Sequence, residues 1–449
     1  SAPVTHVRNI VGNTMNAAAN VIETPIAGAF DATVGRVLTP TKRTISANPV
    51  TGMGRGLKKG GRDFADAIET GITADDVSKY NYKTVNWNLN NPAEKYVFKP
   101  FSDAIFRTLG AEDKIFKSPG VLTSLYNQAD AAAISAGKRG DAKWMADWIE
   151  NSPPIVKETA KKEGGAWVFQ KDTVVSTGMK GLRNSIKRSH PGYEKIVEAI
   201  QPFVNVPAAI GSELMTYTPA GLLRVANKSR KAIDKNIDLT ARDLYRRQAM
   251  KDLSKTSVGV GILTAGFAMG LSGDASGNMP PKNSREYDQW VLENRQPNSI
   301  KVGGKWFNMN SVGTQLTLFN AAAQTGEQMR RDKNKGKNSS PIDNAIAFGG
   351  NVGTNFLNSS SLTGATDATN ALKDPARYGT NYVARQGTSF IPNFAKRAGS
   401  GFDPYQHDPQ NFKEAVQAQI PGARNKLAAK TDVTGAKVPN NQHGPLAAK

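Results

Sequence analysis

The chain contains no cysteine. Disulfides, thiolate metal sites and cysteine nucleophiles are therefore excluded, and stability must come from packing, hydrogen bonds and charge. Histidine is almost as scarce. His6, His190, His407 and His443 lie far apart, and none stands in the HxH or HxxxH spacing that brings two imidazoles to one ion, so neither a metal site nor a cofactor is expected. Signatures of phosphate binding and catalysis are missing as well: there is no P-loop, no GxGxxG after a strand, no GxSxG and no HExxH. Hydrophobic residues make up 39% of the chain, below the roughly 45–50% usual for globular domains. With 449 residues the chain is long enough for a substantial core. Its composition, including 42 glycines, points to loose packing with long polar surfaces, or to a core completed by assembly, so a homo-oligomer is expected.

Positive charge is what the sequence has in excess. Lys and Arg number 58 against 38 Asp and Glu, a formal charge of +20. Such a balance attracts polyanions: DNA, RNA or an anionic membrane face. The plainer reading is a charge that only keeps the chain soluble. The sequence opens Ser1-Ala2-Pro3, without an initiator methionine or the layout of a signal peptide, which suggests proteolytic maturation or a trimmed chain.

The apolar pattern is helical almost throughout and divides into four regions. Residues 1–61 carry an amphipathic segment over 10–38, expected to be interrupted at Pro25, then a basic, flexible connection from Thr39 to Gly61. Residues 62–200 form a helical domain: a short helix at Arg62–Glu69, an ordered loop over 80–100, a stripe from Tyr96 to Gly137 broken at Pro119-Gly120, a short helix around Trp144 and Trp148 stopped by Pro153-Pro154, and a block over 175–200. Residues 201–330 hold short helices broken by Pro202, Pro207 and Pro219, a helix capped by Asp238 and running to about Lys255, an apolar helix, and a β-hairpin at Asn298–Val302 and Lys305–Phe307 around Gly303-Gly304. Residues 331–449 are a polar linker and an extended tail. The expected fold is therefore mainly α, an elongated multi-helix assembly with one small β-hairpin.

Three features bear on function. Arg242, Arg246, Arg247, Lys251 and Lys255 follow roughly four-residue steps and would line one side of a helix; Arg224 to Lys255 holds ten basic and four acidic residues. This stripe suits a phosphate backbone or anionic headgroups, or is a solvated face. Directly after it, Thr256 to Gly273 is uncharged over 18 residues, the lower limit for crossing a bilayer. Gly259, Gly261, Gly266 and Gly270 lie within it, the last two in GxxxG spacing, so it reads either as a core helix packed through glycine or as a conditional membrane segment. The third feature is the local carboxylate pairs Asp75-Asp76, Glu112-Asp113 and Glu286/Asp288. Glu213, in Gly-Ser-Glu-Leu-Met-Thr, faintly resembles the neighbourhood of a lytic transglycosylase acid, but the downstream elements of that family do not follow, and no catalytic residue is assigned.

A set of landmarks in order resembles the large polyvalent proteins of tailed bacteriophages. They are Leu109-Gly-Ala-Glu-Asp-Lys-Ile-Phe116, Pro202-Phe203-Val-Asn205-Val-Pro207 with Thr218-Pro219, the basic and Gly/Ala-rich helices, and Gln296-Pro297-Asn298-Ser299-Ile300 through Gly303-Gly304 to Trp306. Ile391-Pro392, Asp403-Pro404-Tyr405, Ile420-Pro421-Gly422 and Gly435 complete the series. Within it Ile300 and Trp306 are expected as core anchors of the hairpin. The resemblance implies an ejection protein stored in the capsid interior and delivered with the genome to the host envelope or cytoplasm. It also implies other ejection, portal or tail proteins as partners, together with phage DNA bound without sequence preference and the host membrane. The competing expectations are a co-injected DNA-organising or anti-restriction protein, and the non-catalytic part of a larger virion enzyme.

Overall fold

The computed structural model describes residues 3–39, 42–70, 99–168, 209–277, 279–280, 284–309, 313–334, 336, 348–352, 403–407, 414, 417, 424–431 and 436–439. Of the described residues 71% are helical, and they include a two-stranded antiparallel sheet, so the fold is mainly α with one small hairpin. Of the loop expected over 80–100, residues 99–100 are helical and the rest lie outside the described residues, as do the block at 175–200, Pro202, Phe203, Pro207 and Asp75-Asp76.

Pro25 and Pro119 do not interrupt their helices, whereas Pro153-Pro154 separate two helices as expected. Helix α1 (Pro3–Ala32) runs through Pro25, and α4 (Lys99–Ser135) runs through Pro119. A proline removes one ladder hydrogen bond, and tertiary packing can hold the helix together across the gap. At Pro119-Gly120 the clamp is visible. A Cβ on Gly56 of α3 (Met53–Thr70) would lie 2.5 Å from Pro119 Cα, and one on Gly120 would lie 2.9 Å from Gly164 Cα of α6 (Pro154–Ala166). Between α4 and α6, α5 (Ala142–Glu150) is capped by Asp141, whose side chain accepts from Trp144 N, and Pro154 begins the next helix.

The connection expected to be flexible is built instead. After the short α2 (Gly35–Leu38), residues 42–52 form an arch whose Ile45 is fully buried. Asp31 accepts from Thr44 N at 2.8 Å and Ile45 N at 3.2 Å, and Asn127 donates to Ser46 O at 2.8 Å. Helix α3 then begins at Met53, nine residues ahead of its expected start.

Beyond the helical residues 209–216 and a turn at Thr218-Pro219, α7 (Gly221–Ile233) leads to α8 (Leu239–Ser272). The Asp238 cap is where the sequence places it, accepting from Thr240 N and Ala241 N, but the helix does not end near Lys255. The basic and apolar stretches are one helix of 34 residues, closed by Gly273 at φ 90°. A short α9 (Arg285–Leu292) precedes the hairpin β1 (Ser299–Val302) and β2 (Lys305–Asn308), in which Ile300 faces Phe307 and Lys301 faces Trp306. Its turn is Gly303-Gly304, both at positive φ, as a two-residue hairpin loop requires. The expected anchors need correction: Ile300 and Trp306 are only half-buried, whereas Ser299 is 1% exposed and bonds Ser276 in both directions. Finally α10 (Gly313–Asn334) packs along α8.

The described part of the tail is not simply extended. Tyr405 bridges Pro439, and His407 bridges Ala429. Asp403 gathers Tyr405 N at 3.1 Å, His407 Nε2 at 2.7 Å and Arg424 Nε at 2.7 Å. Its carboxyl is also drawn down from the ordinary range, burial being outweighed by those hydrogen bonds.

Two helix groups result. Helix α4 is flanked by α3 and α6, and α8 by α7 and α10; α1 touches both groups. Apolar packing is concentrated in small clusters. One joins Ala27, Ile45, Ala249 and Met250, and another joins Ile210, Leu214, Tyr217 and Leu318. The largest fully buried side chains are not apolar at all but Arg246 and Arg247.

Candidate functional site: a buried ionic seam on helix α8

The basic stripe, read either as a polyanion-binding face or as a solvated one, is neither: Arg246 and Arg247 are fully buried and the others half-buried. Arg246 and Asp31 are each 0% exposed, with Nε 2.8 Å from Oδ1. The rest of the guanidinium is also used: it donates to Thr39 O at 2.7 Å and Asp31 O at 2.8 Å. One side chain thus ties α8 to the end of α1 and to the approach to the arch. One position along, Arg247 makes a two-pronged contact with Glu163 of α6, Nε and one Nη each 3.0 Å from an oxygen. Its other Nη donates to Thr44 O at 2.6 Å and Asn127 Oδ1 at 3.0 Å.

The remaining members are engaged too. Arg242 donates to Ala232 O at 2.8 Å and so closes the end of α7. Lys251 reaches Glu163 at 2.6 Å, and Lys255 pairs with Glu213. The correction has a plain cause. A desolvated cation needs fixed acceptors; Arg246, Arg247, Lys251 and Lys255 find carboxylates inside the fold and half-buried Arg242 a carbonyl, so their charge is engaged there rather than on phosphate.

The seam drives its ionisable groups apart. Burial opposes ionisation of Glu163, but the Arg247 and Lys251 charges outweigh it and hold the carboxyl far below the ordinary range. Lys251 is pulled down to about 8 by burial, which Glu163 only partly offsets. Burial also works against Lys255, but Glu213, Tyr217 and Glu23 hold it firmly protonated. Glu23 behaves oppositely to Glu163. It lies 4% exposed beneath Tyr217, whose hydroxyl donates to it, and burial raises it to about 7 despite the nearby Lys255. Gln315 of α10 reaches the same hydroxyl at 3.4 Å. Asn20, Thr24, Asn127, Glu163, Arg247 and Lys251 line a small cavity beside the seam, with room for about one water molecule.

These surroundings bear on chemistry. A carboxyl near neutrality beside an ionised one is the pairing that acid–base catalysts use. Here Glu23 is interior and Glu213 is paired with Lys255, and both lie where α1, α8 and residues 209–216 meet. Among the described residues no three His, Asp or Glu side chains converge as a metal site would need.

The glycines divide by position. A Cβ on Gly259 would collide with Tyr217 O and one on Gly270 with Ala323 O, while one on Gly266 would sit 2.5 Å from Phe319 O. These are seats for close helix approach. Gly261 points into open space and packs against nothing. Among the described residues no helix is long and apolar enough to cross a membrane.

Sequence reading missed Asp31, Glu163, Glu23 and Asn127, the partners that give the stripe its meaning. No local signal marks them: Asp31 lies 215 positions from Arg246 and Glu163 lies 84 from Arg247, and the apolar run after the cations, with Val260, Gly261, Thr264 and Ala268 exposed, does not show that the helix is enclosed. Compared with known proteins, the chain matches no family model, no curated protein and no solved structure.

Proposed function

We propose that the chain is a non-catalytic internal virion protein of a tailed bacteriophage, packaged with the genome and delivered with it to assist DNA translocation across the host envelope. The ordered landmarks, of which Gln296–Trp306 is the most specific, supply the resemblance. The ionic seam is the observation that carries the physical side. A protein that leaves through a narrow tail must come apart and reassemble. Helices joined by Arg246–Asp31, Arg247–Glu163 and Lys255–Glu213 expose charged, soluble surfaces when they separate, whereas apolar faces would aggregate. The absence of cysteine spares the chain any covalent staple in either redox environment. Further copies of the chain, portal or tail proteins and phage DNA are the partners this reading supplies. A DNA-organising role ranks second, because the cations of the α8 stripe point inward.

Mass spectrometry of purified particles before and after DNA release tests the proposal. Peptides of this chain should be present in full particles and depleted in emptied ones. Their absence from intact particles would sink it.

A further inference from the structure

Helix α3 carries an exposed surface that its packing does not explain. It seats against α4 through small residues at three- and four-residue steps: Gly56 at Pro119, Gly60 at the Lys114 and Ile115 carbonyls, then Asp63, which accepts from Ser118 at 2.5 Å, and Ala67, 5% exposed. By the 3.6-residue period the flanks of that seat differ. On one side stand Met53, Leu57, Phe64 and Ile68, with Leu57 55% and Ile68 42% exposed. On the other stand Arg55, Lys58, Lys59 and Arg62, all exposed, of which Lys59 is paired with Asp63 at 2.8 Å and the other three carry the positive charge of the face. The residues between them, Gly54, Gly61 and Ala65, are small and exposed, so nothing bulky holds a flat partner away.

We infer that this face of α3 is a docking surface for an anionic lipid bilayer. Charge complementarity and the second, apolar flank together select the occupant. A nucleic-acid duplex would use the cations and leave Leu57 and Ile68 in water. An anionic bilayer takes both, the apolar side chains at the acyl boundary and the cations among headgroup phosphates. The cations fill the first half of the helix, and Asp66 and Glu69 follow in the second. The first half therefore sits deeper, and Leu57 contributes more than Ile68. Arg55 is already steadied over the Tyr126 ring at 4.9 Å, which holds one cation of the row in place. The surface belongs to α3 and uses neither the α8 seam nor the apolar run at 256–273. It also does not depend on carriage in a particle: the purified chain can bind vesicles whether or not virions contain it.

The experiment is flotation of the full chain with phosphatidylcholine vesicles, with phosphatidylcholine–phosphatidylglycerol vesicles, and, separately, titration with duplex DNA. We expect binding to the anionic vesicles only. Leu57→Gln should weaken it about tenfold, the worth of one buried leucine. Lys58→Gln with Arg62→Gln should weaken it about thirtyfold, at roughly one headgroup interaction per charge. Ile68→Gln should cost less than Leu57→Gln. Ile233→Gln, a 52% exposed position on α7, should leave binding unchanged. Matching thermal unfolding of each variant confirms that the fold is intact, as these positions are exposed. The inference is overturned if the chain ignores anionic vesicles, or if binding survives both α3 changes. It is also overturned if Leu57→Gln has no effect while the charge variant loses duplex DNA and vesicles alike, an outcome that would assign the face to polyanions in general.

Discussion

Glu163 and Glu23 are both interior carboxyls, and their neighbours decide their fates. Glu163 meets two cations that share its oxygens. Replacing it by Gln leaves Arg247 and Lys251 without a counter-charge in a desolvated site, and we expect a loss of about 3–5 kcal/mol in urea unfolding at pH 7. A loss under about 1 kcal/mol would mean that water already solvates the pair. Glu23 gives a pH dependence of the opposite kind to an ordinary salt bridge. The unfolded chain ionises it near 4.5, the folded protein only near 7. Between those values the folded state holds the extra proton, so stability falls as pH rises, by about 3 kcal/mol across the window, and stays low above it. Glu163 works in the other direction: its contribution is present above the unfolded value of 4.5 and is lost only in strong acid. Denaturant titrations from pH 5 to 8 should show the decline in the parent chain and lose it in Glu23→Gln. An unchanged slope in that variant would remove Glu23 as its source. None of this was legible in the sequence. Glu163 lies 84 positions from Arg247, and Asp31 lies 215 from Arg246, and no local pattern connects them.

Local devices, by contrast, could be read at the scale of the element. Asp238 caps α8 and Gly303-Gly304 turns the hairpin because each acts through backbone groups a few residues away. Pro25 and Pro119 misled for the complementary reason: whether a proline breaks a helix depends on what holds the two halves, and α3 and α6 supply that at Pro119. Within α8, spacing could not say which glycines are seats. The structure divides them, and substitution should separate them. Gly259→Ala drives a methyl into the Tyr217 carbonyl and should cost about 1–3 kcal/mol or more. Gly261→Ala meets no atom and should stabilise the helix by roughly 0.5–1 kcal/mol. Thermal unfolding of the two variants side by side decides the matter, and equal effects would contradict the contact between Gly259 and the Tyr217 carbonyl.

At the scale of the whole molecule, the group α3–α4–α6 meets the group α7–α8–α10 mainly across polar atoms. Arg247 with Glu163 and Asn127, and Lys251 with Glu163, span the junction. Helix α1 touches both groups but is bound to α8 by the Asp31–Arg246 pair and by Ala27 in the cluster with Met250. Cooperative unfolding requires that opening one group cost the other its contacts, and here those contacts are few and charged. Cutting them should therefore divide the protein rather than weaken it evenly. In native-state hydrogen exchange at pH 7, we expect the most protected amides of α4 and α8 to share one opening free energy in the parent chain. In Glu163→Gln, α4 and α6 should open at a lower free energy while α8, with α1 still attached, keeps a higher one. Urea unfolding should broaden or split to match. A variant that loses protection equally in α4 and α8 would show that the groups are held together elsewhere, and the seam would then be a local fastening instead of the joint along which this protein comes apart.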